Sequence, residues 1–295
     1  MSGGIGDRIR KLFSPRVSAY EAAGEFWSPR RRRMGRVVRL PQGVHTAVFA
    51  PTGLGKGVSL IAPQLITSRR STVVTDLKGD LAKLTARHRE RTFGHHVVLM
   101  DPYRVVTKSP DSFNALDFVD KDGLQALDEC RDLANALIIR APEEREPHWN
   151  DSAEFMTTAM IATVVQYGDR TDSRSLQTVR DLLSHPQKID MAVKLMSESD
   201  CWDGMLARMG GQFLNYQDKE RSSTLTTVGR HLRFLDTPVI AESTRSSSFN
   251  PGELRSGKMT VYLILPPEHL RSQAALLRLW IGSMLRAVVR GGLQR

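Results

Sequence analysis

Cysteine is scarce in this chain: only Cys130 and Cys201 occur among 295 residues. They lie far apart and without metal-ligand spacing. That excludes a disulfide framework and a cysteine-built zinc site, and it points to a reducing compartment. No apolar run approaches the roughly 18–20 residues that cross a bilayer. The N-terminus also lacks the apolar core of a signal peptide. The sequence as it stands therefore reads as cytoplasmic, and at most peripheral to a membrane. Internal repeats are absent, and so is any DNA-reading motif that would indicate base-specific recognition. Four apolar residues followed by Asp-Glu, the usual second signature of a nucleotide hydrolase, occur nowhere. The composition is otherwise that of an ordinary globular protein, 40% hydrophobic and 25% charged, and the length allows one large domain or two.

The net charge of +10 is unevenly placed. Residues 1–40 hold ten Lys/Arg against three Asp/Glu, and residues 254–295 hold seven against one, whereas the middle is slightly acidic. The densest cluster is Arg30-Arg31-Arg32-Arg33, with Arg36 and Arg39 nearby. Such a cluster suits nucleic-acid phosphates or anionic lipid headgroups, and it equally suits a solvated arm that keeps the chain soluble.

The segment Ala50-Pro51-Thr52-Gly53-Leu54-Gly55-Lys56-Gly57 carries the most chemistry. It follows a strand-like run, Val44–Phe49, and leads into Val58-Ser59-Leu60-Ile61, which reads as a helix start. Strand, Gly-rich turn, lysine and helix is the layout of a phosphate-binding loop. Small residues let successive backbone N–H groups converge on phosphate oxygens. The helix N-terminus adds partial positive charge, and Lys56 adds a full one. Ala50 stands where the general pattern has its first Gly, and Gly57 stands in place of the Ser or Thr whose hydroxyl ligates Mg2+. Metal would then be held by Thr52, Ser59, Asp76 or water.

Beyond the loop, short apolar strands alternate with helices. Ser71–Asp76 and His96–Met100 read as strands, with Leu77–Glu90 helical between them, which argues for a parallel sheet covered on both faces. Segments 122–140, 151–167, 174–183 and 186–198 have helical spacing, and little between 122 and 235 resembles strand. Strand character returns at Met259–Leu265 and is followed by a long helix, about Glu268–Arg290. The division expected is a basic arm over 1–40, a nucleotide-binding domain from 41–120 and 236–295, and a helical insertion over 121–235.

A hydrolase also needs a carboxylate to orient Mg2+ and usually a second to activate water. Asp76 and Asp101 each end a strand, and carboxyl ends of parallel strands are where ligands bind in such sheets. Asp76 is a candidate for the metal or its water, and alternatively a cap for the turn that follows. Asp128-Glu129 lies in a helical pattern and reads as a solvated surface pair.

Taken together, several segments resemble the TraG-like coupling ATPases of type IV secretion and conjugation. They are Ala50–Val58 with Gly57 in place of the hydroxyl residue, Pro63, Asp76-Leu77-Lys78-Gly79-Asp80, Met100-Asp101-Pro102, Phe113-Asn114-Ala115-Leu116, His148-Trp149 and Thr260-Val261-Tyr262-Leu263. The resemblance implies a RecA-like P-loop NTPase domain interrupted by an all-α domain, with ATP and Mg2+ as ligands. Thr52, Gly53, Leu54, Gly55, Lys56, Gly57 and Val58 would bind the phosphates, and Asp76 to Gly79 would lie beside them. It also implies a hexamer at the inner membrane that passes DNA, bound without sequence preference, together with relaxase or effector proteins to a secretion channel. The family's membrane helices and its Asp-Glu strand are not among the segments matched. The sequence therefore reads as part of a longer or split product, or as a chain that binds nucleotide without hydrolysing it. The competing functions are a DNA-translocating ATPase subunit, a non-hydrolysing adaptor that recruits substrate through its helices, and, more distantly, a small-molecule kinase.

Overall fold

The structure is a computed structural model that describes residues 47–49, 51, 54–141, 143, 146–169 and 171–290. The basic arm at 1–40, and Thr52 and Gly53 of the loop, lie outside the described residues. The described residues divide into two compact units, one formed by those up to Arg70 together with Leu81–His95, the other by Ser71–Asp80 and those from His96 onward.

In the first unit, a π-helical turn, Gly57–Ile61, runs into helix α1, Ala62–Thr67. The wide turn has a local cause. Pro63 has no N–H to donate, so the hydrogen bonding shifts by one residue and the Ala62 N–H reaches the Gly57 carbonyl. Of the strand expected over Val44–Phe49, the described residues Ala47–Phe49 form none, and Phe49 is 94% exposed. The second helix of this unit, α2 (Asp80–Phe93), carries the fully buried Arg89. Its guanidinium donates to the carbonyls of Leu65 (2.6 Å), Ser68 (2.9 Å) and Arg70 (2.6 Å). The Leu65 carbonyl is one that the end of α1 leaves without an intrahelical partner, and the other two lie just beyond the helix. His95 completes the clasp, with Nδ1 facing Arg89 at 3.3 Å and Nε2 facing the Arg69 carbonyl at 3.0 Å.

The second unit is built on a three-stranded parallel sheet of β1 (Thr72–Thr75), β2 (His96–Met100) and β3 (Met259–Leu263). The spatial order is β1-β3-β2. Thr75 and Met100 both align with Leu263, so all three strands end at one level. Every residue of β3 is buried, as a near-continuous apolar run in a central parallel strand should be. The expected helix after β1 begins at Asp80 rather than Leu77, because Leu77–Gly79 are spent on a turn that ends with Gly79 at φ 72°. The helix expected from Glu268 is delayed in the same way. Pro266-Pro267 impose a 3-10 turn over Pro267–His269, and α10 spans Ala274–Val289.

Between β2 and β3 the chain is helical: α3 (Ala126–Leu137), α4 (Pro147–Tyr167), α5 (Leu176–Leu182), α6 (Pro186–Ser197), α7 (Cys201–Leu214), α8 (Asp218–Leu232) and α9 (Pro238–Arg245). α4 is buried almost all round, flanked by α3, α7 and α8. Its Thr157, Thr158 and Thr163 hydroxyls donate to carbonyls one turn back, which lets polar residues sit in that interior. The Asp128-Glu129 pair is only half solvated. Asp128 is exposed beside Arg131, whereas Glu129 is buried and paired with Arg290. Glu129 falls on the inward stripe of α3 with Ala126, Cys130 and Leu133, so helical spacing overrides its charge. None of the helices among the described residues is long and apolar enough to cross a membrane.

Candidate functional site

In the first unit the Gly-rich turn is held from within. The Leu54 N–H reaches the Pro51 carbonyl at 3.5 Å, the Ser59 N–H donates to the Gly55 carbonyl at 2.8 Å, and Lys56 Nζ donates to the Pro51 carbonyl at 3.0 Å. Gly55 sits at φ 77°, the left-handed region where L side chains are strained. At Gly57 an added Cβ would meet nothing within 4 Å. The missing hydroxyl of Gly57 is thus a matter of chemistry and not of space. The turn, the amides behind it and the ammonium beside it form a cradle suited to phosphate oxygens. Leu54 and Val58 are exposed on its rim.

Asp76, in the second unit, is buried at the end of β1, and its N–H donates to the Leu263 carbonyl at 2.9 Å, extending the ladder with β3 by one residue. The turn that follows closes with the Gly79 N–H on the Asp76 carbonyl at 3.3 Å. This turn is packed by the loop after β2: a Cβ on Gly79 would come within 2.3 Å of Val106 Cγ2. That loop is in turn organised by Asp101. The fully buried Asp101 carboxylate accepts from the N–H groups of Val105 (2.9 Å), Val106 (2.6 Å) and Thr107 (3.0 Å). Asp101 ends a strand where ligands bind in such sheets, but its oxygens are committed to backbone amides inside the protein. It positions the loop that presses on the Asp76–Gly79 turn.

The Phe113–Leu116 segment is also architectural. Buried Asn114 donates to the Arg174 carbonyl (2.6 Å) and to Asp117 (2.9 Å), while its own side-chain oxygen accepts from the Leu116 N–H (3.2 Å). Ser247 and Ser248 bind back to it, with Ser248 Oγ donating to Asp111 (2.7 Å) and Ser247 Oγ to Asp117 (2.7 Å). The start of α4 holds a second polar knot. Arg140 pairs with Asp151 (2.7 Å) and Glu154 (2.9 Å). His231 Nε2 faces Asn150 Oδ1 at 2.7 Å, and its Nδ1 accepts from the Ile139 N–H at 3.4 Å. Burial, with Arg230 and Arg140 nearby, pushes the His231 imidazole down to about 4, so it is neutral at pH 7. The long-range members of these knots, Asn114 with Arg174, His231 with Asn150 and Ser248 with Asp111, lie 60 to 137 positions apart, so no local pattern in the sequence announces them.

Among the described residues no group of three or more His, Cys, Asp or Glu is placed to hold a metal ion. Mg2+ in phosphate sites usually needs only one or two carboxylates, with phosphates and water supplying the rest. Asp76 is compatible with that requirement.

A family model described as "Type IV secretory system Conjugative DNA transfer" matches residues 9–292. A type IV secretion system-coupling protein VirD4 from Bartonella quintana (strain Toulouse) is 25% identical over 253 residues, covering 83% of this chain and 39% of the relative. Protein VirD4 from Rhizobium radiobacter is 30% identical over 237 residues, covering 80% and 33%. The chain thus spans roughly a third to two fifths of the length of these relatives. Among solved structures, the bacterial conjugative coupling protein TrwBdeltaN70 aligns with a TM-score of 0.59 at 13% identity, over 82% of this chain and 50% of that one. TrwB has also been solved in complex with ADP and Mg2+, with a TM-score of 0.56 to this chain. The fold is therefore the RecA-like P-loop NTPase α/β class expected, with its parallel sheet and a large helical share.

Proposed function

The chain belongs to the type IV secretory system conjugative DNA transfer family, and from that premise we propose that it is the nucleotide-binding part of a coupling protein that drives or recruits DNA and protein substrates toward a secretion channel. The observation that carries this reading is the Gly55–Gly57 cradle, with its positive-φ glycine, open Cβ position and Lys56 ammonium. In the proposal, Thr52 to Val58 bind the phosphates of ATP, Lys56 neutralises the outer ones, and Asp76 holds Mg2+ or its water. When bound there, the ion would supply positive charge to offset that of the phosphates. The coupling protein TrwB, solved with ADP and Mg2+ and with an ATP analogue, supports the choice of ligands.

The division into a nucleotide-binding domain (41–120 and 236–295), a helical insertion (121–235) and a basic arm (1–40) belongs to the same proposal. So do hexamer formation and a cytoplasmic site of action, peripheral at the inner membrane. DNA would be held through its phosphates, without sequence preference. Relaxase or effector proteins would be the partners passed on.

A second reading, nucleotide binding without turnover, draws on Asp101. With that carboxylate committed to three amides, Asp76 stands alone among the strand-end carboxylates considered for catalysis. The test is ATP turnover by the purified chain with and without single-stranded DNA, alongside a nucleotide titration. DNA-stimulated hydrolysis supports the motor. Binding without hydrolysis supports the adaptor, and absence of binding overturns both.

A further inference from the structure

We propose that a cavity on the carboxyl side of the sheet in the second unit is a nucleotide-binding site separate from the Gly-rich loop, taking a phosphate-bearing nucleobase. The cavity measures about 680 Å3, within the usual range of about 300–1,000 Å3 for small-ligand sites. Its walls come from the loop after β2, the end of α8 with the turn behind it, and the segment between β3 and α10. Loops at the carboxyl ends of parallel strands are where ligands bind in open α/β sheets.

Three features specify the ligand. The first is charge. Arg230, Arg233 and Arg271 line the cavity, and Arg233 and Arg271 form no ion pair among the described residues. The acidic group on the wall, Asp236, is already occupied by Arg180, which donates to both of its oxygens at 2.8 and 2.7 Å. With Asp236 held by Arg180, the cavity presents guanidinium groups in excess over its wall carboxylate, a setting for phosphate oxygens.

The second feature is a flat platform. Tyr103 and His269 stack with ring centroids 4.1 Å apart and planes 11° from parallel. A stacked pair at a cavity wall offers a face to a further planar ring, as in single-strand binding proteins. The third is an acceptor with nothing to accept. Gln273 is 3% exposed, and its buried side-chain oxygen has no partner among the described residues. Buried polar atoms of this kind are rare without a ligand or water to satisfy them. An anion, a planar ring and an N–H donor within one cavity describe a nucleotide, either free or as a unit of single-stranded DNA.

The experiment uses the whole chain carrying Lys56→Ala, so that binding at the Gly-rich loop is tested separately and its failure is recognised apart from this one. Three probes are titrated: AMP, a labelled oligothymidylate, and an abasic phosphodiester of the same length. Replacing Arg233 and Arg271 together with Ala should weaken oligothymidylate binding and reduce its salt slope by roughly 1.4, about 0.7 per phosphate contact on a single strand. Gln273→Leu should weaken the base-bearing probes and leave the abasic chain unchanged. A parallel loss for AMP identifies the free nucleotide as the source, whereas loss for the oligomer alone identifies the strand. Thermal unfolding should be unaltered in the arginine variant, because both side chains are exposed. Unchanged affinity and salt slope in that variant overturn the site. Equal losses for abasic and base-bearing chains in the Gln273 variant overturn the assignment to a nucleotide.

Discussion

Gly79 lies against Val106 so closely that a single added carbon would sit 2.3 Å from Val106 Cγ2. The contact joins the turn after β1, which carries Asp76, to the loop after β2, which Asp101 organises through three amides. Gly79→Ala would suffer twice, from the left-handed φ of 72° and from the clash. We expect a loss of about 2 kcal/mol or more, since the left-handed conformation alone costs roughly 1–2 kcal/mol for an L residue. Thermal denaturation checks this, and a Tm equal to the parent's would mean that the loop yields freely.

Lys56→Ala should abolish ATP binding and leave the fold intact, because the ammonium's contact with the Pro51 carbonyl is exposed. A nucleotide titration paired with far-ultraviolet circular dichroism separates the two effects. Unchanged affinity would remove the phosphate-loop assignment.

Gly57→Thr tests the departure from the general loop pattern. Open space around the Cβ position predicts that the variant folds without penalty, with a small gain from lower unfolded-state entropy. The added hydroxyl should tighten nucleotide binding in the presence of Mg2+ and not in its absence. The same ratio with and without Mg2+ would show that the hydroxyl's usual ligand position is not used here.

The imidazole of His231 provides a pH prediction. Its folded pKa, about 4, lies below the ordinary value of 6.5, so the unfolded chain takes up the proton first. The stability it contributes is complete above about pH 6.5 and is lost as pH falls toward 4. His231→Gln should flatten this part of the profile of denaturation midpoint against pH. An identical profile would place the imidazole in water rather than against Asn150 and Ile139.

Removal of residues 1–40 should weaken binding to DNA or anionic vesicles, with the lost part sensitive to salt, given the excess of seven positive charges there. Equal binding by the truncated chain at low salt would leave the arm as a solubilising segment.

The three described strands were legible because each is a short β-branched or apolar run bounded by turn residues, as Thr72–Thr75 and His96–Met100 are. The central place of β3 was not stated in any local pattern; its burial on both faces declares it only once the partners are known. Helices α7 and α8 were not separated, and α7 begins with Trp202, Asp203 and Gly204 all in the left-handed region, a kink that periodicity does not encode. Within the site, Lys56 and the glycines were readable because phosphate binding draws on consecutive residues. The role of Asp101 was not legible, since a strand-end carboxylate looks the same in sequence whether it faces solvent or, as here, the amides of Val105 to Thr107. Gln273 and the Tyr103–His269 stack leave no signature in the sequence, for Tyr103 lies far along the chain from the other two.

The order of the strands has a consequence for how the protein is made. Among the described residues, β1 and β2 each pair with β3 alone, and everything between Met100 and Met259 separates β2 from that partner. A ribosome adding about 5–20 residues per second needs on the order of ten seconds to cross that distance. During that time two apolar strands have emerged without the neighbour that joins them. The helices of the intervening stretch emerge before Met259, so they can form while β1 and β2 still wait for the strand that pairs with both.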